Sequence, residues 1–384
     1  MNKKLKLAYC IPSLYYPSGM ERALTIKANY LAEYLEYEIH IILTDGKNKV
    51  PYYPLFPTIK THQLDINYDH LYGLPLHKRA IKYLKKQHQL KARLNKCLNE
   101  ISPDITISLL RRDINVINRM TDGSIKIGEI HFNKSNYREF SDNKIPSFLQ
   151  KIVRHYWMKQ LINQLRKLKK FIVLSDEDAR EWTELNNTAV IYNALPFFPD
   201  SVSKCQKKRI IAVGRYMPQK GFDRLIDAWS MVNRKHPDWV LNIYGDGMRS
   251  ELEEQIKALQ LEKSCILNHS TPDIVDKYLE SSIFVLSSRY EGFGLVITEA
   301  MACGVPPVSF ACPCGPRDII CNGEDGLLVE DGNIEELANK ICYLIENTDI
   351  RKKMGVKARH NVERFKIENI AKQWDDLFRS LKNS

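Results

Sequence analysis

The 384-residue sequence contains no run of about 18 apolar residues, the length that a membrane-spanning helix requires. Its first residues, MNKKLKLAYCIPS, carry basic side chains and then only a strand-length apolar run, which is too short for a secretory signal. Cysteine is scarce, with nine in the chain, and several of the nine lie inside apolar runs. We therefore expect a cytoplasmic protein with reduced core thiols and no membrane span.

Metal-ligand patterns are also sparse. Cys312, Cys314 and Cys321 lie close together, but no Cys or His pair with zinc-ligand spacing accompanies them. The acidic run Asp176-Glu177-Asp178 resembles a metal-binding D-x-D, yet it follows Ser175, a residue type favoured at a helix N-cap, and acidic residues belong in a first helical turn. We interpret the cysteines as core residues and the acidic run as helix capping, and we expect no metal site.

The composition is that of a globular protein whose basic charge is concentrated in its first half. A chain of this length, with 44% hydrophobic and 27% charged residues, is long enough for two domains with full cores. Residues 1–195 hold 31 Lys and Arg against 19 Asp and Glu, whereas the remainder holds 26 against 27. The first half is therefore the part expected to meet an anionic partner.

Strand-length apolar runs alternate with segments of helical periodicity along the chain. We predict strands at 5–11, 38–43, 58–64, 104–109, 125–130, 171–174, 210–213, 240–244 and 283–286, with helices between them that include basic helices at 76–99 and 151–170. Such alternation is typical of parallel sheets covered on both faces. The segment 192–200 contains two prolines and is the best linker candidate, after which the alternation restarts. We predict an α/β protein of two doubly wound domains.

One stretch, residues 286–330, combines a glycine loop with very little charge. Glu299 is the one charged residue between Glu291 and Arg317, and it lies in an apolar run behind the loop Gly292-Phe293-Gly294. Glycine lets the backbone approach a ligand closely, and the free N–H groups of a helix start attract an anion. A sugar nucleotide fits this pattern, with its diphosphate on the loop and its ribose on Glu299. An ordinary turn with Glu299 exposed on a helix edge fits these residues equally well.

Further candidate residues follow other predicted strands. They are Gly19, His131, Arg215, Lys220 and Gly245. Because ligands of doubly wound sheets bind beyond the carboxyl ends of the strands, this shared placement predicts a cleft between the domains. Two cations such as Arg215 and Lys220 can grip a diphosphate and stabilise it as it leaves. Spacing alone favours a structural role for His131, and it leaves open whether Gly19 binds an anion or only forms a turn.

Two motifs in these regions resemble a known family. E-G-F-G-L-V-I-T-E-A-M-A-C-G-V-P-P-V, which begins at Glu291, resembles the E-x7-E signature of the retaining, nucleotide-sugar-dependent glycosyltransferases of family 4. V-G-R-Y-M-P-Q-K-G-F-D-R-L-I-D-A-W, from Val213 to Trp229, resembles a second mark of that family. The resemblance is continuous from about Ile210 to Phe365 and patchier before it. Two long motifs in the expected order make a specific signal.

The resemblance implies a domain arrangement. In the GT-B fold of this family, two Rossmann-like domains face each other across a cleft. Residues 1–195 would form the acceptor-binding domain and 196–365 the nucleotide-sugar-binding domain. Residues 366–384 would form a helix that crosses back onto the first domain.

The resemblance also implies roles for the candidate residues. Arg215 and Lys220 would bind the diphosphate, Glu299 the ribose, and His131 and Glu291 the hydroxyls of the donor sugar. The rest of the donor site would consist of Gly19, Gly245, Asn268, Gly292, Phe293, Gly294 and Leu295. Catalysis would need no metal and no other cofactor, because Arg215 and Lys220 would stabilise the developing charge. It would need no nucleophile from the protein, because the leaving phosphate oxygen can accept the acceptor's proton. The nucleoside diphosphate sugar is a co-substrate.

The segment CPCGPRDII resembles the version of the motif found in bacterial polysaccharide-assembly enzymes. This implies transfer of a hexosyl or N-acetylhexosaminyl group from a nucleoside diphosphate sugar, a UDP-sugar, to a lipid-linked glycan in surface polysaccharide biosynthesis. An epimerase of sugar nucleotides with the same fold is the alternative. A nucleic-acid binder is a further one, but no recognised nucleic-acid module accompanies the basic first half, and we expect no such partner.

The two predicted basic helices, over Lys78–Lys96 and Lys151–Lys170, interleave Lys and Arg with apolar side chains. The apolar residues are Ile81, Tyr83, Leu84, Leu90 and Leu94 in the first, and Ile152, Val153, Tyr156, Trp157, Leu161 and Leu165 in the second. This pattern suits helices on an anionic membrane surface, and the lipid-linked acceptors of the family favour it. A solvated basic face over ordinary core helices remains the other interpretation. We expect a cytoplasmic enzyme that is peripheral on the inner face of the plasma membrane.

Overall fold

The computed structural model describes residues 4–46, 48–71, 73–137 and 147–383. Parallel strands alternate with helices throughout these ranges, because strands buried on both faces need helices on both sides. The chain divides into a first unit, residues 1–194 with 367–384, and a second unit, residues 195–366. Both sheets are doubly wound, so the predicted fold class is confirmed.

The first unit contains a seven-stranded parallel sheet. Its elements are β1 (Lys6–Ile11), α1 (Gly19–Glu33), β2 (Glu38–Leu43), β3 (Lys60–Gln63), α2 (Leu76–Ile101), β4 (Ile105–Ser108), β5 (Ile125–Glu129), α3 (Ser147–Leu165), β6 (Lys170–Val173), α4 (Asp176–Glu181) and β7 (Thr188–Val190). In space the strands follow the order β3-β2-β1-β4-β5-β6-β7. The direction of winding therefore changes between β1 and β4.

The core of the first unit lies on both faces of this sheet. Successive residues of β1 point to opposite faces, as in any strand. Tyr9 packs in the cluster that contains Leu24 of α1, whereas Cys10 packs in the cluster that contains Leu94 of α2. Helices α1 and α2 therefore cover opposite faces, and α3 shares the face of α2 through Leu161.

Helix α3 ends earlier than the sequence predicts. We predicted a helix over 151–170, but it ends at Leu165, and Lys170 begins β6. Leu168 is buried, and the N–H of Lys169 donates to the carbonyl of Lys126 at 2.8 Å. The prediction was wrong because the buried residues before and after this turn are spaced as in a helix. The strand that follows the turn, β6, is short and gives little signal of its own. The short strand β7 was not predicted, since its residues are only partly buried.

The second unit contains a six-stranded parallel sheet. Its elements are β8 (Arg209–Val213), α5 (Phe222–Lys235), β9 (Val240–Tyr244), α6 (Ser250–Ala258), β10 (Cys265–Asn268), α7 (Ile274–Leu279), β11 (Ile283–Leu286), α8 (Leu295–Ala302), β12 (Pro307–Phe310), α9 (Pro316–Ile319), β13 (Leu327–Val329), α10 (Ile334–Glu346) and α11 (Thr348–Asn361). The strands follow the order β10-β9-β8-β11-β12-β13. The direction of winding changes between β8 and β11.

The last helix, α12 (Ile367–Lys382), belongs to the first unit and packs against α1. It buries Ile370, Trp374 and Phe378, which recur every four residues and form one face of the helix. Lys382 Nζ lies 2.5 Å from Asp104 Oδ1. The predicted return of the C-terminal helix to the first domain is confirmed.

Candidate active site

The candidate residues of the second unit meet where its winding changes direction. β8 and β11 are neighbours in the sheet, and the segments that follow them leave in opposite directions, which creates a crevice at the carboxyl edge. Arg215 and Lys220 lie in the loop after β8, and Glu291 lies in the loop after β11. The two motifs that carry the family resemblance thus lie side by side.

The backbones of these two loops are in direct contact. Gly221 has a φ of 62°, and a Cβ atom there would lie 2.1 Å from the carbonyl oxygen of Ser287, so the position requires glycine. The hydroxyl of Ser287 donates to the Lys220 carbonyl at 2.9 Å. The N–H of Arg289 donates to the Gln219 carbonyl at 2.8 Å. These contacts fix Lys220 beside the end of β11.

Lys220 and Glu291 form the centre of the candidate site. Lys220 Nζ lies 2.7 Å from Glu291 Oε1, and the Ser288 hydroxyl donates to the same oxygen at 2.6 Å. The two side chains are 15% and 7% exposed, so the pair is largely shielded from water. Among the described residues, none donates a hydrogen bond to Glu291 Oε2 and none forms an ion pair with the exposed Arg215. An acceptor oxygen and a cation therefore remain for a ligand.

Asp223 and Arg289, which the sequence prediction missed, form a clasp between the two loops. Arg289 donates to both carboxylate oxygens of Asp223, at 2.8 and 2.6 Å, and to the Pro218 carbonyl at 2.7 Å. These hydrogen bonds hold the pKa of Asp223 below its usual range. A bidentate pair fixes orientation as well as distance, so the clasp sets the spacing of the loops. The available signal was a pair of opposite charges, with Asp223 inside one motif and Arg289 two residues before the other.

We expect Asp223→Asn and Arg289→Gln each to lower kcat by about tenfold with little change in the donor KM, because a looser loop misplaces Lys220. The double variant should lose no more than either single variant, since both remove one clasp. Steady-state kinetics on the four proteins measures this. Arg209→Gln is the control, because it breaks an exposed ion pair with Glu280 at the amino edge of the same sheet. Additive losses would mean that Asp223 and Arg289 act separately.

The turn from Gly292 to Leu295 leads into α8. Gly294 has a φ of 98°, and α8 begins at the next residue, Leu295. The ring of Phe293 is buried and meets Phe365 edge-on at 5.4 Å. A Cβ atom on Gly315 would lie 1.8 Å from the Phe293 carbonyl, so the C-P-C-G-P loop packs directly against this turn. The turn is held on both sides, which gives its backbone a fixed shape.

Glu299 lies inside α8 and is only 3% exposed. The hydroxyl of Tyr278, itself fully buried, donates to Glu299 Oε2 at 3.0 Å. This hydrogen bond meets part of the cost of burying a carboxylate. The alternative that Glu299 is exposed on a helix edge is therefore wrong.

Gly245 and Asn268 lie together where β9 and β10 end. The N–H of Gly245 donates to the Asn268 carbonyl at 3.0 Å, and the Tyr216 hydroxyl donates to the same carbonyl at 2.5 Å. A Cβ atom on Gly245 would lie 1.9 Å from the carbonyl oxygen of Gly214. Glycine thus lets the loops after β8 and β9 approach, and the Asn268 carbonyl is already engaged within the second unit.

Gly19 opens α1, at the change of winding in the first unit. Ser18 is the N-cap, and its hydroxyl accepts from the N–H of Glu21 at 3.3 Å. The Glu21 carboxylate holds the loop after β1, because it accepts from the Tyr16 N–H at 2.7 Å and from the Ser13 hydroxyl at 3.1 Å. Burial raises the pKa of Glu21 to about 7, against the opposing effect of these hydrogen bonds.

Glu21 should make stability depend on pH in a defined window. Its pKa rises from an ordinary 4.5 to about 7 on folding, so its contribution is full below pH 4.5 and is lost as the pH rises through about 7. Relative to Glu21→Gln, the wild type should lose roughly 1–3 kcal/mol of free energy of unfolding across this window. Urea denaturation at several pH values measures the difference. Glu33→Gln, exposed on the same helix, is the control. A difference that does not change with pH would contradict the raised pKa.

His131 follows β5 in the first unit, and its side chain is 3% exposed. Its Nε2 lies 3.2 Å from Glu129 Oε1, which is close enough for an ion pair. Among the described residues, none forms a hydrogen bond of good geometry with this nitrogen. The other carboxylate oxygen of Glu129 accepts from Lys27 of α1, whose Nζ lies 3.9 Å from the centre of the Trp374 ring. Burial raises the pKa of Glu129, but Lys27 and His131 outweigh it and leave the pKa low.

The residues that were considered as metal ligands or as membrane segments can now be placed in the structure. In the described ranges no group of three or more His, Cys, Asp or Glu side chains is placed to hold a metal ion. Cys312 and Cys314 are buried and Cys321 is exposed. The hydroxyl of Ser175 accepts from the Asp178 N–H at 3.0 Å, which confirms the predicted cap of α4. None of the helices in the described part of the chain has both the length and the apolarity that crossing a bilayer demands.

Both motifs lie in a region that is similar to known proteins. Residues 196–361 match the family model of the group 1 glycosyl transferases. An uncharacterized glycosyltransferase of Haemophilus influenzae is 36% identical over 213 residues, which are 54% of this chain and 60% of that protein. The amylovoran biosynthesis glycosyltransferase AmsD of Erwinia amylovora is 33% identical over 232 residues, which are 56% and 65%. The chain thus spans less than two thirds of the length of these relatives.

Among solved structures, a point mutant of TarM from S. aureus, in complex with fondaparinux, alpha-GlcNAc-glycerol and UDP, is similar over nearly the whole length. The match covers 97% of this chain and 99% of that chain, with a TM-score of 0.77 and 18% sequence identity. At this identity the likeness establishes the fold. The chain therefore has the two-domain GT-B fold, and its residues 196–361 are similar to the group 1 glycosyl transferases.

Proposed function

We propose that the protein is a retaining glycosyltransferase. It transfers a hexosyl or N-acetylhexosaminyl group from a UDP-sugar to a lipid-linked glycan in surface polysaccharide biosynthesis. The observation that carries this proposal is the shielded Lys220–Glu291 pair at the change of winding in a group 1 domain. Two similar proteins support it, since AmsD is named for amylovoran biosynthesis and the TarM complex contains UDP with alpha-GlcNAc-glycerol.

The chemistry requires charge stabilisation and no nucleophile from the protein. The bond from the anomeric carbon to the phosphate oxygen breaks, and a bond to the acceptor oxygen forms on the same face. The leaving phosphate oxygen takes the acceptor's proton. Arg215 and Lys220 stabilise the charge on the diphosphate, and Glu291 Oε2 accepts a hydrogen bond from a hydroxyl of the donor sugar.

The remaining residues are assigned to the donor by their places in the fold. The turn from Gly292 to Leu295 supplies backbone N–H groups, and Glu299 binds the ribose beside Tyr278. Gly245 and Asn268 lie beside the base. We assign the first unit to the acceptor. Its candidate site residues are Gly19 and His131, which lie at the carboxyl edge of the first sheet.

Isothermal titration calorimetry with UDP, GDP and ADP tests the donor assignment. We expect UDP to bind most tightly and Glu299→Ala to weaken it, because the ribose loses a carboxylate acceptor. EDTA should leave sugar transfer intact. Absence of nucleotide binding would overturn the proposal. Epimerisation of the UDP-sugar without any acceptor would favour the epimerase alternative.

A further inference from the structure

Helix α2 is longer than the sheet that it covers. Its 26 residues span about 39 Å, whereas the six residues of β1 span about 20 Å. At its end, the Ile101 carbonyl accepts from Lys6 at the start of β1. Earlier in the helix, Lys86 donates to the Ile66 carbonyl, just beyond β3. The ten residues before Lys86 therefore project past the carboxyl edge of the first sheet.

Helix α3 projects past the same edge. At its end, the Leu165 carbonyl accepts from Asn187 at 2.9 Å, directly before β7 and thus at the amino edge. Arg154, in the first half of the helix, donates to the Ser135 carbonyl beyond the end of β5. The turns before Arg154 therefore extend beyond the sheet, on the face that α2 also covers.

Both projecting ends expose large apolar side chains. On α3, Phe148 and Ile152 of the projecting turns and Tyr156, two residues after Arg154, are 61%, 60% and 66% exposed, and a spacing of four residues aligns them in one stripe. On α2, Ile81 and Leu84 are 58% and 68% exposed. An apolar stripe that is exposed to solvent marks an interaction surface.

The charge on these two helices is almost all of one sign. The sequence of α2 holds eight Lys and Arg, and its one acidic residue, Glu100, lies at the far end of the helix. The sequence of α3 holds three basic residues and no acidic one. Lys82, Lys85 and Lys151 are exposed beside the apolar residues. Apolar side chains within a basic surface match the headgroup region of an anionic bilayer, whereas a nucleic acid backbone would leave the apolar stripe exposed.

We propose that this surface docks the first unit on an anionic lipid bilayer. The docking surface consists of Ile81, Lys82, Leu84, Lys85, Phe148, Lys151, Ile152 and Tyr156. It lies at the same edge of the first sheet as Gly19 and His131, so the edge assigned to the acceptor faces the lipid. That functional meaning rests on the proposed function, whereas the docking itself does not.

Several residues that were predicted to lie on the lipid side of the basic helices are buried in the structure. Leu161 and Leu165 were predicted to lie on the membrane side, but they are 1% and 0% exposed and belong to the core. Leu90 and Leu94 of α2 are buried as well. The basic run from Arg166 to Lys170 follows the end of α3, at the opposite edge of the sheet.

Sedimentation with phosphatidylcholine vesicles, with and without phosphatidylglycerol, tests the proposal on the full chain. The wild type should bind vesicles that contain phosphatidylglycerol. Replacing Lys82, Lys85 and Lys151 with Gln should weaken binding about fivefold per residue and reduce its salt dependence. The matched control replaces Lys96, Lys167 and Lys169, three exposed lysines near the amino edge, and should bind as the wild type does. The apolar variant Phe148→Ser, Ile152→Ser, Tyr156→Ser should lose at least about tenfold in affinity.

Thermal unfolding and UDP affinity verify that each variant is folded. The docking surface would be overturned if both triple-lysine variants lost the same affinity for vesicles. It would also be overturned if the wild type did not bind anionic vesicles at low salt. If the wild type binds duplex DNA but no vesicles, and the apolar variant still binds DNA, the nucleic-acid interpretation is correct instead. Vesicle binding requires no sugar transfer, so a protein that binds vesicles but transfers nothing would refute the proposed function and leave the docking surface standing.

Discussion

Lys220→Ala is expected to lower kcat by about 10² to 10³, because a cation aimed at the leaving diphosphate is lost. Arg215→Ala should have an effect of the same order. The double variant should lose less than the product of the two factors if both cations serve one diphosphate. Steady-state kinetics with a UDP-sugar and an acceptor measures all three.

The control for this series is Lys263→Ala, which removes an exposed lysine of the same unit. Lys220→Ala also leaves the shielded Glu291 without its ion-pair partner. Thermal unfolding separates that structural cost from the loss in catalysis. Full multiplicative losses in the double variant would show that Arg215 and Lys220 act on different groups.

Lys27→Met is expected to lower the free energy of unfolding by about 3–5 kcal/mol, because it leaves Glu129 buried without its cation. The two side chains are 5% and 3% exposed, so water cannot replace the lost partner. Burial lowers the pKa of Lys27, and the attraction of Glu129 opposes that shift. The double variant Lys27→Met, Glu129→Gln should recover much of the loss, since neither charge is then buried.

Urea denaturation of the single and double variants measures this coupling. Lys60→Met is the control, because Lys60 pairs with Glu38 on the surface of the same unit and should contribute about 1 kcal/mol or less. If Lys27→Met is as mild as Lys60→Met, the buried pair does not stabilise the first unit.

The placement of the site could be predicted from the sequence because strand ends in parallel sheets share one edge. Knowing that β8 ends before Arg215 and that β11 ends before Glu291 was enough to bring the two residues together. The family motifs added the prediction that a nucleoside diphosphate sugar binds at this edge. Local signals such as the Ser175 cap were equally accessible, since the cap and its partner are three residues apart.

The side-chain pairs could not be predicted in the same way. Asp223 and Arg289 are 66 residues apart, and Lys27 and Glu129 are 102 apart, so each pair depends on strand order and on helix rotation about its axis. Helix length was predicted well for α2, but the expected exposure of Leu161 and Leu165 on α3 was wrong, because both are buried in the core. Which end of a helix projects beyond the sheet is a property of packing and leaves no trace in the residue pattern.

Proton NMR of the product formed from an α-linked UDP-sugar is the most direct test of glycosyl transfer with retention. We expect that a glycan acceptor receives the sugar in the α configuration, that UDP is released in equal amount, and that Lys220→Ala slows both by at least about 10². A β-configured product would contradict retention. Release of UDP with an epimerised sugar in the absence of acceptor would contradict glycosyl transfer itself.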